Sequence, residues 1–284
     1  MHDDHVHPSP SGEHVEADGQ WAFGTGFEDP LYGADTTVPD GIDGAELASC
    51  CVLLADDALI AAQRLAQWCT NAPELEEELA LANIGLDLLG QARHLYARAG
   101  RADGTGRGED AYAYFRDPAE FRNVRLVELP NGDYAFSVVR LLVFATWRLE
   151  LFTRLTDTPD PVLAAIASKS IKELDYHRSY AAQWVVRLGD GTAESRLRAQ
   201  RALDEVAPHL GELFTPHEHL RVDVASVRAE TTAIVSRVLD TAGLVLPITE
   251  SATGGGRDGL HTEHLPALLA ELQSVARADP QATW

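Results

Sequence analysis

The stretch 73–100, PELEEELALANIGLDLLGQARHLYARAG, decides the fold. Its apolar residues fall on two stripes. Leu75, Leu79, Ala82, Leu86 and Leu89 make the first, and Leu81, Ile84, Leu88, Ala92 and Leu95 the second. Steps of three and four residues are the period of an α-helix, and two apolar stripes on one helix ask for cover on two sides, from a bundle or from a partner. Pro73 suits a first helical turn, where its missing N–H costs nothing. Glu74, Glu76, Glu77 and Glu78 gather near the positive end of that helix dipole.

Working outward, residues 44–72 carry Leu47, Cys51, Leu54, Ala58, Ala61, Leu65 and Trp68 at alternating four- and three-residue steps, which predicts a helix ended by Asn71, Ala72 and Pro73. Downstream, RADGTGRG at 101–108 is a loop. A short helix is expected over Pro118–Glu128, stopped by the turn signal LPNGD. A long helix follows over Tyr134–Thr156, and another over Pro161–Leu188, roughly 40 Å at 1.5 Å per residue. Two more fit Ala193–Leu213 and Pro216–Ala242. After the Gly-rich ATGGGRDG comes a last one over Glu263–Ala276. There is no period-2 strand pattern and no internal repeat. The expected class is all-α: a bundle of four long helices with accessory helices behind it. Residues 1–43, rich in acids and holding His2, His5, His7 and His14, read as a disordered tail with too few aliphatics to offset its ordering entropy. Residues 44–284 read as one helical domain.

Composition narrows the function. The 284 residues carry 44 acidic against 23 basic side chains, a net charge of −21, and no Lys or Arg precedes Arg64. Such a chain does not neutralise phosphates, which argues against nucleic acid and against an anionic membrane as partners. The polar, acidic start does not resemble a secretory leader, and no run of 18 apolar residues occurs, so a cytoplasmic location is expected. Cys50 and Cys51 are adjacent, and with Cys69 they make no disulfide framework. Neither GTGFEDPLYG nor ATGGGRDG follows a strand or leads to GK[ST], so no phosphate loop is read there, and no G-x-S-x-G elbow is present.

Long four-helix bundles often house two iron atoms, held by a Glu from each of two helices and a Glu-x-x-His from each of the other two. The sequence fails that test. In the second long helix the matching place is Asp87-Leu-Leu-Gly90, with a shortened carboxylate and no imidazole. In the fourth it is Glu173-Leu-Asp-Tyr176, with His177 one residue late. The first helix offers Asp56 and Asp57. The third offers Glu150, with Arg154 one turn on as an ion-pair partner. What remains is a polar strip, Asn83, Asp87, Gln91 and His94, facing Lys169, Glu173, Tyr176, His177, Tyr180 and Trp184. Buried polar groups must pair, and a carboxylate facing Lys or Arg does so without iron. The expectation is a hydrogen-bonded polar core, with no catalytic residue, cofactor or metal in this chain. The alternative is an independent di-iron carboxylate oxidase using the reduced set Asp57, Asp87, Glu150, Glu173 and His177.

The runs ELEEELALANIGLDLLGQAR, FRNVRLVELPNGDYA and YHRSYAAQWVVRLGDGT resemble the C-subunit family of the bacterial ring-1,2-phenylacetyl-CoA epoxidase, over about residues 45–245. The resemblance implies a ferritin-like bundle whose iron ligands have degenerated, a non-catalytic structural subunit of a multicomponent monooxygenase in phenylacetate catabolism. It implies as partners a catalytic A subunit holding di-iron, a small B subunit, and a reductase carrying FAD and a 2Fe–2S cluster. Asp87 and Tyr176 stand at the departures from the iron-ligand pattern that argue against a catalytic role. A thioester-binding module is a weaker option, with Arg93, Arg98, Arg101 and Arg107 as its basic group near one helix end.

Overall fold

The computed structural model describes Leu31 and residues 33–220, 222–250 and 255–282. Helix α1 (Gly44–Ala66) starts where the Asp43 carboxylate accepts from the Ala45 N–H at 2.8 Å. It turns back through a connection in which Thr70 takes a left-handed φ of 68°. Helix α2 (Leu75–Ala102) then runs beside it, with Glu76, Glu77 and Glu78 in its first turn. Helix α3 (Glu109–Tyr114) is short. Helices α4 (Tyr134–Leu155) and α5 (Pro161–Asp190) form the second hairpin, capped by Asp133 and Asp160, which accept from the Phe136 and Leu163 N–H groups. An Asp just before each of these helices satisfies an N–H that the first turn leaves free. Helix α6 (Ala193–Val206), helix α7 (Leu210–Leu213), helix α8 (Val224–Ala242) and helix α9 (His264–Ala278) complete the chain.

The α1–α2 pair packs on the α4–α5 pair, α6 and α8 cover the outer side of α4 and α5, and α9 lies over α3 and the irregular segment before α4. Helix α4 is buried almost all round, which fits its near-continuous apolar sequence from Ala135 to Phe152. At the end of α5 the chain approaches α8 without room for a side chain: a Cβ on Gly189 would stand 2.3 Å from the Ala242 carbonyl oxygen. The all-α class and the four long helices of the sequence reading are what the structure has, and no strand occurs among the described residues. None of the helices searched among them is long and apolar enough to cross a membrane.

Three accessory segments differ from the sequence expectation. Pro118–Glu128 is two 3-10 turns, Pro118–Glu120 and Arg125–Glu128, with extended backbone between. There the N–H groups of Arg122 and Val124 leave the helical ladder and donate to Asp56 and Asp57 at 2.7 and 2.8 Å. Ala193–Leu213 is broken after Val206 by Pro208, whose ring and missing N–H end the α-helical pattern. Residues 216–220, 222 and 223 are non-helical, and α8 begins only after Asp223, the residue that caps it. The tail reading falls mostly on residues 1–30, outside the described ones. Its last stretch lies against the bundle: Thr36 gives its carbonyl to Arg98 Nη1 at 2.6 Å, and Val38 and Ile42 pack on the core.

Candidate functional site

Four long helices converge on one guanidinium. Arg148 of α4 is fully buried, and its helical neighbours Phe144, Ala145, Leu151 and Phe152 are buried apolar residues. Its Nε donates to Gln91 Oε1 of α2 at 3.0 Å, and its Nη1 donates to the Leu54 carbonyl of α1 at 3.1 Å. Gln91 passes the contact on, since its Nε2 donates to Glu173 Oε2 of α5 at 2.9 Å. The guanidinium also lies over the Phe152 ring, 4.2 Å from its centroid. Burial pulls the Arg148 pKa down to about 10, with Asp57 and Glu173 drawing it back up and Arg257 adding to the fall.

One turn along, His177 of α5 is buried and its Nε2 lies 3.0 Å from Asp87 Oδ2 of α2. Burial lowers the His177 pKa, and the positive charge of Arg148 adds to that, against the raising effect of Asp87. The polar strip of α2 and the facing strip of α5 therefore meet as two hydrogen-bonded pairs, Asp87–His177 and Gln91–Glu173. At the open end of the same strips, Glu77 Oε2 accepts from Tyr134 at 2.9 Å, Trp184 Nε1 at 2.8 Å and Tyr180.

The other members of the reduced ligand set point elsewhere. Asp57 is fully buried, accepts from the Val124 N–H and pairs with Arg257 Nη2 at 2.6 Å. Burial raises its pKa despite the pull of Arg257 and Arg148. Glu150 pairs with Arg154 at 2.7 Å, one turn along α4. So of Asp57, Asp87, Glu150, Glu173 and His177, the structure brings Asp87 to His177 and places Glu173 one turn away, but it does not gather the five around one point. A di-iron centre does not fit these residues, because the guanidinium of Arg148 stands among them and repels a second cation. Among the described residues no group of three or more His, Cys, Asp or Glu is arranged to hold a metal ion.

The arginines considered for thioester phosphates are dispersed as well. Arg93 pairs with Glu109 at 2.7 Å, and Arg98 is buried against Asp160 at 2.5 Å, while Arg107 lies over the Tyr112 ring. Sequence reasoning missed Arg148, Arg116 and Arg257. For Arg148 a signal existed: an arginine with apolar residues at three and four positions on both sides of a helix has no polar face to lie on.

Helix α2 also settles its two stripes. Leu81, Ile84, Leu88, Ala92 and Leu95 are buried. Leu75, Leu79, Leu86 and Leu89 are 67, 57, 64 and 38% exposed, and Tyr176 of α5 is 51% exposed.

The family described as Phenylacetic acid catabolic protein matches residues 35–284. A relative from Escherichia coli (strain K12), the C subunit of 1,2-phenylacetyl-CoA epoxidase, is 42% identical over 247 residues, which cover 84% of this chain and 99% of that protein.

Proposed function

This chain belongs to the phenylacetic acid catabolic protein family, and on that premise we propose that it is the non-catalytic structural subunit of a phenylacetyl-CoA epoxidase, acting in phenylacetate catabolism. The observation that carries the proposal is Arg148. A fully buried guanidinium, bonded to Gln91 and to the Leu54 carbonyl, lies between the helices that would have to gather the carboxylates of a di-iron centre. The bundle is thereby held together by its own polar pairs. Oxygen chemistry, in this proposal, belongs to a catalytic A subunit with di-iron, supplied with electrons by a reductase carrying FAD and a 2Fe–2S cluster, with a small B subunit in the assembly. The role of this chain is mechanical. It offers an apolar helix face that covers an apolar face of the catalytic chain, and so fixes that chain's helices around its own site. The exposed Leu75, Leu79, Leu86 and Leu89 stripe supports this, because obligate interfaces are apolar and often exceed about 2,000 Å².

Co-expression with the A subunit tests it. The expected result is one complex at micromolar concentration on size exclusion, with iron following the A subunit and only traces in this chain purified alone under anaerobic conditions. Separate elution, or near-stoichiometric paired iron in this chain alone, overturns the proposal.

A further inference from the structure

Outside the polar pairs of the bundle lies a cleft of about 710 Å³. One wall is the non-helical stretch 34–40 together with Leu31, the other is the first turns of α5, and α2 adds His94. Leu31, Val38, Pro39, Val162, Ala165 and Ile166 make the lining mainly apolar. Leu31 and Ala34 stand before residues 35–284, which the family matches, so part of the first wall is this chain's own. The walls are tied together at one guanidinium. Buried Arg98 of α2 donates from Nη1 to the Thr36 carbonyl at 2.6 Å, and from Nε and Nη2 to the Asp160 carboxylate at 3.1 and 2.5 Å. Asp160 in turn caps α5 by accepting from the Leu163 N–H at 2.7 Å. The cleft is thus pre-formed, which spares a ligand the cost of ordering it. Its volume and apolar walls are those of a small-molecule site, for which about 300–1,000 Å³ is usual.

The charges decide the ligand's class. Among the described residues Lys169 is the only Lys or Arg lining the cleft, and it makes no hydrogen bond or ion pair. With 44 acidic side chains against 23 basic ones, a lysine that finds no carboxylate is the unusual member of the set. His94 is turned back on its own helix, where Nδ1 donates to the Gly90 carbonyl at 2.6 Å. Asp35 and Asp40, on the other wall, are exposed to water, which screens them, and Asp35 accepts from the Thr37 N–H at 3.0 Å. We propose that this cleft binds a small monocarboxylate with an apolar body the size of a substituted benzene ring. The body lies against Val38, Val162 and Ile166, and the carboxylate accepts from the Lys169 ammonium. Such a ligand holds residues 34–40 to α5. The site is separate from the exposed Leu75 and Leu79 at the other end of α2. Failure of the chain to bind a catalytic partner leaves it standing, and an empty cleft leaves the partner proposal standing.

Titration calorimetry of the full chain with phenylpropionate, phenylpropionamide and phenylpropylamine tests it, since the three probes share a body and differ in the head. The carboxylate is expected to bind best, the amide about fivefold more weakly, as one partly exposed ion pair dictates, and the amine more weakly again. Lys169→Met is expected to bring the carboxylate down to the amide. Ala165→Trp, at an exposed position of α5, is expected to fill the cleft and abolish binding while the urea midpoint stays nearly unchanged. No binding of the carboxylate, equal affinities for the three probes, or binding that survives Ala165→Trp overturns the proposal. The probe series on the parent chain decides even where a variant fails to fold. A crystal structure of the chain with phenylpropionate gives a second readout. Probe density beside Lys169 is expected, and a cleft filled by the chain's own residues or by a second copy overturns the proposal.

Discussion

Arg257 Nη2 lies 2.6 Å from Asp57 Oδ2, across 200 positions of sequence. The residue before Asp57 does the same for a second segment: Asp56 pairs with Arg116 at 2.5 Å and accepts from Tyr96 and from the Arg122 N–H. Consecutive residues of one helix thus take the Arg122 and Val124 N–H groups of the segment before α4, and Asp57 also holds the 3-10 turn Gly256–Asp258 through Arg257. Arg257 also donates to the Leu53 and Arg122 carbonyls, so it ties α1, the segment before α4 and the approach to α9 into one knot. Breaking a buried pair by deleting one partner leaves an uncompensated charge and costs about 3–5 kcal/mol. Arg257→Ala is expected to cost that much, seen as a lowered urea midpoint, with Tm down by roughly 2–4 °C for each kcal/mol. The double change Asp57→Leu with Arg257→Met is expected to recover much of the loss, since no charge is then left unpaired. A single variant as stable as the parent would show that the pair does not anchor the segment.

Glu128 anchors the last helix. It is fully buried, and it accepts from Asn123 at 2.9 Å, from the Thr262 N–H and hydroxyl at 2.7 and 2.6 Å, and faces His261 Nδ1 at 2.6 Å. Glu128→Ala strands those donors, each at about 1–3 kcal/mol. The expected outcome is local: α9 loosens before the bundle does. Limited proteolysis checks it, with cleavage near residue 260 at least tenfold faster than in the parent chain while the helical circular dichroism of the bundle is retained. Equal cleavage rates refute it.

The long helices were legible because their apolar spacing is a local property. Capping is a second local signal, which the sequence reading left unused: Asp43, Asp133, Asp160 and Asp223 each precede a helix and cap it. The segment 118–128 was illegible for a physical reason. Its composition allows a helix, but two carboxylates from α1, more than 60 positions away, take its N–H groups. The polar pairs Asp87–His177 and Gln91–Glu173 were half legible: the strips could be read, yet nothing local tells which side chain meets which. Arg148 was legible in principle from its apolar flanks. Arg257, in a Gly-rich stretch read as a connection, was not, because its burial is made by residues far away in the chain.

The exposed stripe of α2 gives a direct prediction. Leu79 and Leu86 are more than half exposed, so replacing them removes little folding energy; surface substitutions usually stay within about 0.5 kcal/mol. Leu79→Glu together with Leu86→Glu is therefore expected to leave the urea midpoint of the chain nearly unchanged. It is also expected to weaken the proposed complex with a catalytic subunit by at least a hundredfold, because two carboxylates would be buried unpaired in the proposed interface. Titration by light scattering or calorimetry reads the second effect. Undiminished binding would move the interface to another face.

The buried histidine makes stability depend on pH, with a definite sign. The folded state holds the His177 pKa below its ordinary 6.5, first by burial and then by Arg148. Unfolded chain takes up a proton as pH falls through about 6.5, and the folded chain resists until a lower pH. The unfolded state then binds more protons, so stability is fully present above that value and declines as pH falls below it. His209 and His217 are also held low, each chiefly by burial, and act in the same direction. The urea midpoint is therefore expected to drop between pH 7.5 and pH 5.5, a window above the ordinary carboxylate range. His177→Gln keeps a donor for Asp87 and has no proton to gain, so this variant should lose part of that drop and retain the part due to the other two histidines. An identical drop in both chains would mean that His177 takes up its proton as readily folded as unfolded, against its burial beside Arg148.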